Sequence, residues 1–263
     1  LASVGEKCAR LLAEQHHRSA SLGAYQVAVD SALREMVRER IMARIWEHDY
    51  TVWKPEPAEI ANRLGWLRIV DSMSAEVASL TELREAVAAE GYTDVLLLGM
   101  GGSSLAPDVY TRVFGGPAGK FPRLVVLDST DPAAVLSHAE RLDPARTLFI
   151  VATKSGSTAE TLSFFRFFYN WTADARGLER TGEHFVAITD SGSKLAELAE
   201  RYGFRTVFLN DPNIGGRYSA LSYFGLVPAA LVRVDLELLL ARASGMTRRC
   251  SPGDEMQDRD NHG

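Results

Sequence analysis

Five short apolar runs, each followed by a polar loop and an amphipathic segment, dominate the pattern of the chain after Tyr92. They read VLLLG, LVVLD, TLFIVAT, FVAIT and TVFLN. Short apolar runs that alternate with helical segments are typical of buried parallel strands. Because crossovers between parallel strands are right-handed, the pattern predicts an α/β fold, a doubly wound five-stranded parallel sheet in a Rossmann-like three-layer sandwich.

The part of the chain before Tyr92 has a helical pattern. Leu33, Val37, Ile41 and Ile45 recur at the spacing of one helical face, which predicts one helix across them. Prolines in the segment 49–57 prevent that helix from continuing. Two further helices are predicted, over Ala58–Gly65 and from about Ala75 to Ala89.

These patterns divide the chain into three parts. Residues 1–91 form an N-terminal helical extension, and residues 92–212 form the sheet domain. Residues 213–263 carry a glycine-arginine motif, an apolar helix that ends at Leu231 and, from Arg248 onward, a polar tail with alternating charges. We interpret that tail as a linker to a further domain.

Composition and charge narrow the classes of function. The net charge is −5 and the pI about 5.7, so neither nucleic acid nor an anionic membrane is an expected partner. The most apolar stretch, 224–232, is too short to span a bilayer. Cys8 and Cys250 are far apart in sequence and form no metal-binding pattern, which fits a reducing cytoplasm and predicts no metal.

The first loop with binding chemistry is GMGGSS, directly after the first apolar run. Gly99, Gly101 and Gly102 let backbone N–H groups approach an anion at the start of a helix, which favours a phosphate. The loop also resembles part of a dinucleotide fingerprint, with Asp128 placed to bind a ribose. Ser104 stands where that fingerprint needs its third glycine, so NAD is the weaker alternative.

A second loop, after the third run, has the composition of a phosphate site. Thr153, Lys154, Ser155 and Thr158 surround Gly156 with hydroxyls and one cation. One hydroxyl, from Ser157 or Thr158, would suffice to cap the next helix. The others indicate a ligand with several acceptor oxygens.

Strand order decides whether these two loops meet. In the order 2-1-3-4-5 the first and third strands are neighbours, and their loops face each other at the topological switch point. The loops after strands two and four, 128–131 and 189–193, have a similar composition. For them we predict helix capping, with a position at the rim of the pocket as the alternative.

A third motif, NIGGRYS, precedes the apolar helix of the C-terminal part. Gly215 and Gly216 allow close approach of the backbone, and Arg217 offers a permanently charged fork. With two anion-binding loops upstream, we expect Arg217 to face a substrate.

Together LGMGGSSLAP, TKSGSTAET and IGGRYSALSYFGLVPA resemble the three successive signatures of the phosphoglucose isomerases. The resemblance covers about residues 52–228. The segment VWKPEP, with NRLGW after it, looks similar to the isomerase part of bacterial transaldolase/glucose-6-phosphate isomerase fusions, in which a transaldolase part would precede Leu1. The implied fold is the sugar isomerase (SIS) domain.

The resemblance also implies a reaction and site roles. The reaction is interconversion of glucose 6-phosphate and fructose 6-phosphate, in the cytoplasm, without a cofactor and with a homodimer as the active form. Arg217 would be catalytic, stabilising the charge of an enediolate. The implied substrate-binding residues are Gly102, Ser103, Thr153, Lys154, Ser155, Thr158 and Gly216.

The residue that this resemblance leaves unassigned is the general base. In the family it is a glutamate of a second SIS domain, which we expect after Gly263. Glu160, Glu237, His138 and His184 are the nearer candidates, and we assign none of them. Three hypotheses follow: the first SIS domain of an isomerase, a non-catalytic SIS module that senses sugar phosphates, and a nucleotide-linked oxidoreductase.

Overall fold

The computed structural model describes residues 22–114 and 121–252, and within them the chain forms one five-stranded sheet. The order β2-β1-β3-β4-β5 is confirmed, and every pairing is parallel. The α/β prediction is therefore correct. The strands are β1 (Asp94–Gly99), β2 (Arg123–Leu127), β3 (Thr147–Ala152), β4 (Phe185–Asp190) and β5 (Thr206–Asn210).

Helices precede, connect and follow the strands. Four come before the sheet: α1 (Gln26–Arg38), α2 (Ile41–Trp46), α3 (Ile69–Ser74) and α4 (Val77–Ala89). Those within it are α5 (Gly102–Phe114), α6 (Pro132–Arg141), α7 (Ala159–Arg176), α8 (Leu178–Thr181) and α9 (Lys194–Arg201). Two follow β5, α10 (Tyr223–Leu231) and α11 (Leu236–Cys250).

The sheet separates two apolar clusters, because successive strand side chains point to opposite faces. On one face, Val95 and Leu97 of β1 pack with α3, α4, α10 and α11. On the other, Leu96 and Leu98 pack with the aromatic face of α7 and with α9. All six residues of β3 are buried. These layers make the predicted three-layer sandwich and hold the carboxyl ends of the strands rigidly.

Two predicted helices in the N-terminal part are wrong in their extent. The periodicity across residues 33–45 is split into α1 and α2, because Arg40 takes a left-handed conformation with φ 53°. The helix predicted over Ala58–Gly65 is only a 3₁₀ turn at Ala61–Arg63, since Glu59 has φ 61° and breaks the helical hydrogen-bond pattern. The helix predicted from about Ala75 is confirmed as α4.

The C-terminal part differs from its prediction in one respect. The apolar helix to Leu231 is confirmed as α10, but Arg248 belongs to α11 rather than to a linker. The Asp235 side chain caps α11 by accepting from Leu238 N, and Trp46 Nε1 donates to the Cys250 carbonyl at 2.9 Å. The rest of the predicted linker lies outside the described residues. The division at residues 91 and 212 stays a prediction.

Candidate active site

The candidate site lies at the carboxyl ends of β1 and β3. These strands pair directly, with Gly99 opposite Ala152, so the two polar loops begin side by side. The order of the sheet reverses at this point, which is where open α/β sheets usually bind ligands. The predicted meeting of the loops is confirmed.

The first and third motifs touch through two glycines. A Cβ on Gly102 would overlap the backbone carbonyl of Gly216, so only glycine allows this approach. The Ser219 hydroxyl donates to the Gly216 carbonyl at 2.6 Å and lies 3.3 Å from the Gly102 carbonyl. The chain that carries Arg217 is thereby fixed against the start of α5, where the positive end of the helix dipole favours an anion.

The Ser104 hydroxyl, by contrast, is used internally. Its one hydrogen can be donated either to the Gly101 carbonyl at 3.0 Å or to Asp128 Oδ2 at 3.4 Å. Asp128, the acid that the dinucleotide alternative would need for a ribose, therefore already has a partner in the first loop.

The second loop is folded tightly by its own hydroxyls. Thr153 Oγ1 and Thr158 Oγ1 share a hydrogen bond of 2.8 Å, and Ser155 Oγ accepts from Ser157 Oγ at 3.0 Å. Gly156 has φ 68°, and a Cβ there would lie 2.6 Å from Leu195 N. Although Thr158 is the N-cap of α7, its side chain makes no capping bond. The loop therefore contains more hydroxyl groups than capping of α7 requires, as the sequence indicated.

Lys154 extends from this loop across the ends of β4 and β5. Its Nζ donates to Asp190 Oδ2 at 2.5 Å and to the Pro212 carbonyl at 2.7 Å. Burial raises the pKa of the Asp190 carboxyl, although the hydrogen bond and charge of Lys154 act in the opposite direction. Asp190 Oδ1 is buried and has no hydrogen-bond partner among the described residues.

These loops enclose a cavity of about 450 Å³. All seven residues predicted to bind substrate line it, although they come from three separate motifs: Gly102, Ser103, Thr153, Lys154, Ser155, Thr158 and Gly216. The remaining lining residues are Arg63, Met100, Ala152 and Asp190. Hydroxyls, backbone N–H groups and two cations around one space are suited to an anion with several acceptor oxygens.

Arg217 has a different position. It lies on a 3₁₀ turn, Gly216–Tyr218, is exposed and is not among the residues that line the cavity. Within the described ranges neither a hydrogen bond nor an ion pair occupies its guanidinium. Its neighbour Gly216 does line the cavity, so Arg217 follows the cavity wall directly in sequence.

The four acid–base candidates left unassigned also lie elsewhere. Glu160, Glu237, His138 and His184 are absent from the cavity wall. His184 Nδ1 lies 3.1 Å from the Thr147 carbonyl, and burial lowers the pKa of this imidazole. Burial also lowers the pKa of His138. Neither histidine therefore faces the cavity, and His184 is packed against the start of β3.

The loops after β2 and β4 each supply a side chain that caps the following helix, as predicted. Asp131 accepts from Ala133 N and caps α6, and Ser193 accepts from Ala196 N and caps α9. Asp190, at the end of β4, also lines the cavity, so the alternative of a position at the rim applies to it as well.

Sequence reasoning assigned no role to Arg63, the other charged residue of the wall. Its place depends on a contact remote in sequence, an antiparallel bridge between Leu64 and Ile214. No local pattern around Arg63 predicts that bridge. For Asp190 the signal was available, because it ends a strand at the same edge of the sheet as both phosphate-type loops.

Residues 22–114 and 121–252 contain no group of three His, Cys, Asp or Glu side chains placed to hold an ion. Among the helices of these same ranges, none combines the length and the apolar character that spanning a bilayer requires.

The fold and the cavity define a class: a doubly wound α/β domain with an anion-binding pocket at its switch point. The phosphoglucose isomerase family model matches residues 69–248, and the chain belongs to this family. Curated relatives named glucose-6-phosphate isomerase include one from Thermus thermophilus, 34% identical over 80% of this chain and 46% of the relative. One from Geobacter sp. is 40% identical over 58% of this chain and 28% of the relative.

Two solved structures share the fold of this chain. A hypothetical protein from Thermus thermophilus superposes with a TM-score of 0.71 at 29% identity, over 89% of this chain and 53% of that one. A glucose-6-phosphate isomerase from Chlamydia trachomatis, at 21% identity and a TM-score of 0.68, shares the fold over 88% of this chain and 47% of its own. The chain thus spans about half, or less, of the length of each of these four proteins.

Proposed function

We propose that this chain is the phosphate-binding part of a glucose-6-phosphate isomerase and that its cavity binds a hexose 6-phosphate. The observation that carries the proposal is the convergence of three separated motifs on one cavity. The seven residues that the family resemblance implies as substrate-binding line it. Thr153, Ser155 and Thr158 would supply hydroxyl donors to the phosphate, and Gly102 and Ser103 would contact the sugar.

Lys154 fits this role even though two of its three donor hydrogens already have acceptors. An ammonium group has three donor hydrogens, and two point to Asp190 and the Pro212 carbonyl. The third is left for a phosphate oxygen. Family membership and the curated relatives' names support the choice of a hexose 6-phosphate as the ligand.

The proposed reaction moves one proton between neighbouring carbons. After ring opening, a base removes the C2 proton of the aldose, an enediolate forms, and the proton returns to C1 of the ketose. No electrons are exchanged with a cofactor. Arg217, next to Gly216 of the cavity wall in sequence, would stabilise the negative oxygen of the enediolate, where a preorganised cation lowers the barrier.

We propose that the general base of this reaction is supplied by a residue outside this chain. Asp190 is the carboxylate of the described cavity wall, and Lys154 holds it. We therefore propose that a glutamate of a second SIS domain completes the site. As the family resemblance implies, we also propose that the active form is a cytoplasmic homodimer. Neither nucleic acid nor membrane is a proposed partner, in keeping with the net charge of −5.

Calorimetric titration of the chain with fructose 6-phosphate, with NAD as the control ligand, tests the proposal. Saturable binding of the sugar phosphate alone is the expected result. Binding of NAD instead would favour the oxidoreductase hypothesis and contradict ours. Turnover by a protein that contains both SIS domains separates an isomerase from a sensing module, which would bind the same ligand without converting it.

A further inference from the structure

Arg63 reaches the cavity from outside the sheet domain, held by a short antiparallel contact. Leu64 pairs with Ile214, and Gly65 N donates to the Asn213 carbonyl at 3.0 Å. Trp66 stacks on Tyr218 with ring centroids 5.4 Å apart and planes 15° from parallel. Arg63 is therefore fixed against the third motif, beside Gly216 of the cavity wall.

The stem of Arg63 is packed, and both terminal nitrogens of its guanidinium are bonded: Nη1 donates to the Asn62 carbonyl at 3.1 Å and Nη2 to Glu59 Oε2 at 2.7 Å. A Cβ on Gly215 would lie 2.9 Å from Arg63 Cδ, so Gly215 provides the space for the stem. The side chain of Arg63 is 27% exposed, and it contributes to the cavity lining. Its charge also acts on Asp190 across the cavity: burial raises the pKa of that carboxyl, and Arg63 is one of the charges that oppose the effect.

The two cations of the described cavity wall differ in how their charge is compensated. Lys154 pairs with Asp190, whose side chain is only 16% exposed, so these two charges cancel inside the wall. Arg63 pairs with Glu59, whose side chain is 78% exposed and faces solvent. An ion pair in water is weak and exchanges readily for a stronger acceptor.

We infer that Arg63 is a substrate-binding residue that supplies the net positive charge by which the cavity attracts the phosphate of its ligand. This inference rests on the proposed function. A guanidinium fork matches two phosphate oxygens, and a dianion is a stronger acceptor than the exposed Glu59 carboxylate. Lys154 contributes a hydrogen bond to the same group, but its charge is already balanced by Asp190.

The test compares Arg63→Met, which keeps the packed stem and removes the charge, with Arg63→Lys, which keeps both. Arg68→Met is the matched control, because Arg68 is an exposed arginine of the neighbouring turn that does not line the cavity. Calorimetry with fructose 6-phosphate measures affinity, and thermal unfolding checks each fold. If Arg63→Met does not fold, Arg63→Gln takes its place.

Loss of one charge-assisted contact predicts affinity about tenfold lower, or more, in Arg63→Met. Arg63→Lys should recover most of it, and Arg68→Met should bind like the unchanged protein. A structural role for Arg63 would lower unfolding temperature without this dependence on charge. Unchanged affinity in Arg63→Met would overturn the inference alone. Absence of binding in the unchanged protein would overturn the proposed function as well.

Discussion

Lys154 and Asp190 face each other at 2.5 Å, yet their substitution is expected to have opposite effects on phosphate binding. Lys154→Met leaves the Asp190 carboxylate uncompensated beside the ligand, so affinity for fructose 6-phosphate should fall by about tenfold or more. Asp190→Asn leaves the ammonium uncompensated, so affinity should hold or rise. Calorimetry on both variants decides. A fall of similar size in the two would mean that the pair acts only as a structural unit.

The protonation of Asp190 gives a second prediction at this scale. Its folded pKa is raised above the ordinary value of 3.8, chiefly by burial. The folded state then holds the proton more tightly than the unfolded chain. The resulting stability is fully present below pH 3.8 and is lost as pH rises through the raised folded pKa.

Asp190→Asn is neutral throughout and lacks this contribution. The difference in unfolding free energy between Asp190→Asn and the unchanged protein should therefore shift in favour of the variant as pH rises from about 3 to 7. Urea unfolding at a series of pH values measures it. A difference that is constant with pH would contradict the raised pKa.

At the scale of elements, the backbone of the start of α5 lies so close to the backbone of the third motif that it leaves no room for a side chain on Gly102. Gly102→Ala would place a methyl group on the Gly216 backbone, which cannot yield without moving the chain of Arg217. We expect a loss of about 1–3 kcal/mol in unfolding free energy and strongly reduced binding of fructose 6-phosphate.

Gly245→Ala is the control for that variant. Gly245 lies within α11, where the nearest atom to an added Cβ is 4.0 Å away. Alanine is favoured over glycine inside a helix by about 0.5–1 kcal/mol, so this variant should be slightly more stable and bind normally. Equal behaviour of the two variants in chemical denaturation would show that the approach of Gly102 to Gly216 is not restrictive.

The same scale shows what the sequence could predict. The strands were predictable because each is a continuous apolar run buried on both faces, as the complete burial of β3 illustrates. The break at Arg40 was not, since the apolar spacing of residues 33–45 continues across it and only a left-handed backbone interrupts the helix. Leu33 and Val37 remain 54% and 51% exposed, so no packing within the described residues enforces one long helix.

For the whole molecule, the limit of sequence reasoning is tertiary contact between distant segments. The proximity of the loops after β1 and β3 could be predicted from the sequence, because strand order follows from a small set of allowed topologies. Arg63 could not, since the bridge of Leu64 to Ile214 joins the N-terminal extension to the chain after β5. The cavity wall therefore combines predictable strand-end loops with one unpredicted residue from an extension.

This arrangement predicts where a ligand will stabilise the molecule. At a concentration of fructose 6-phosphate about one hundred times its Kd, unfolding free energy should rise by about 2.7 kcal/mol. Added protection in hydrogen exchange should appear at residues 100–104, 153–158 and 213–219, together with the turn at 61–65. The face covered by α4 and α11 should gain only the global increase, because its residues line no part of this cavity. Uniform protection without a local maximum at these loops would place the ligand elsewhere, whereas missing protection at 61–65 alone would separate Arg63 from the site.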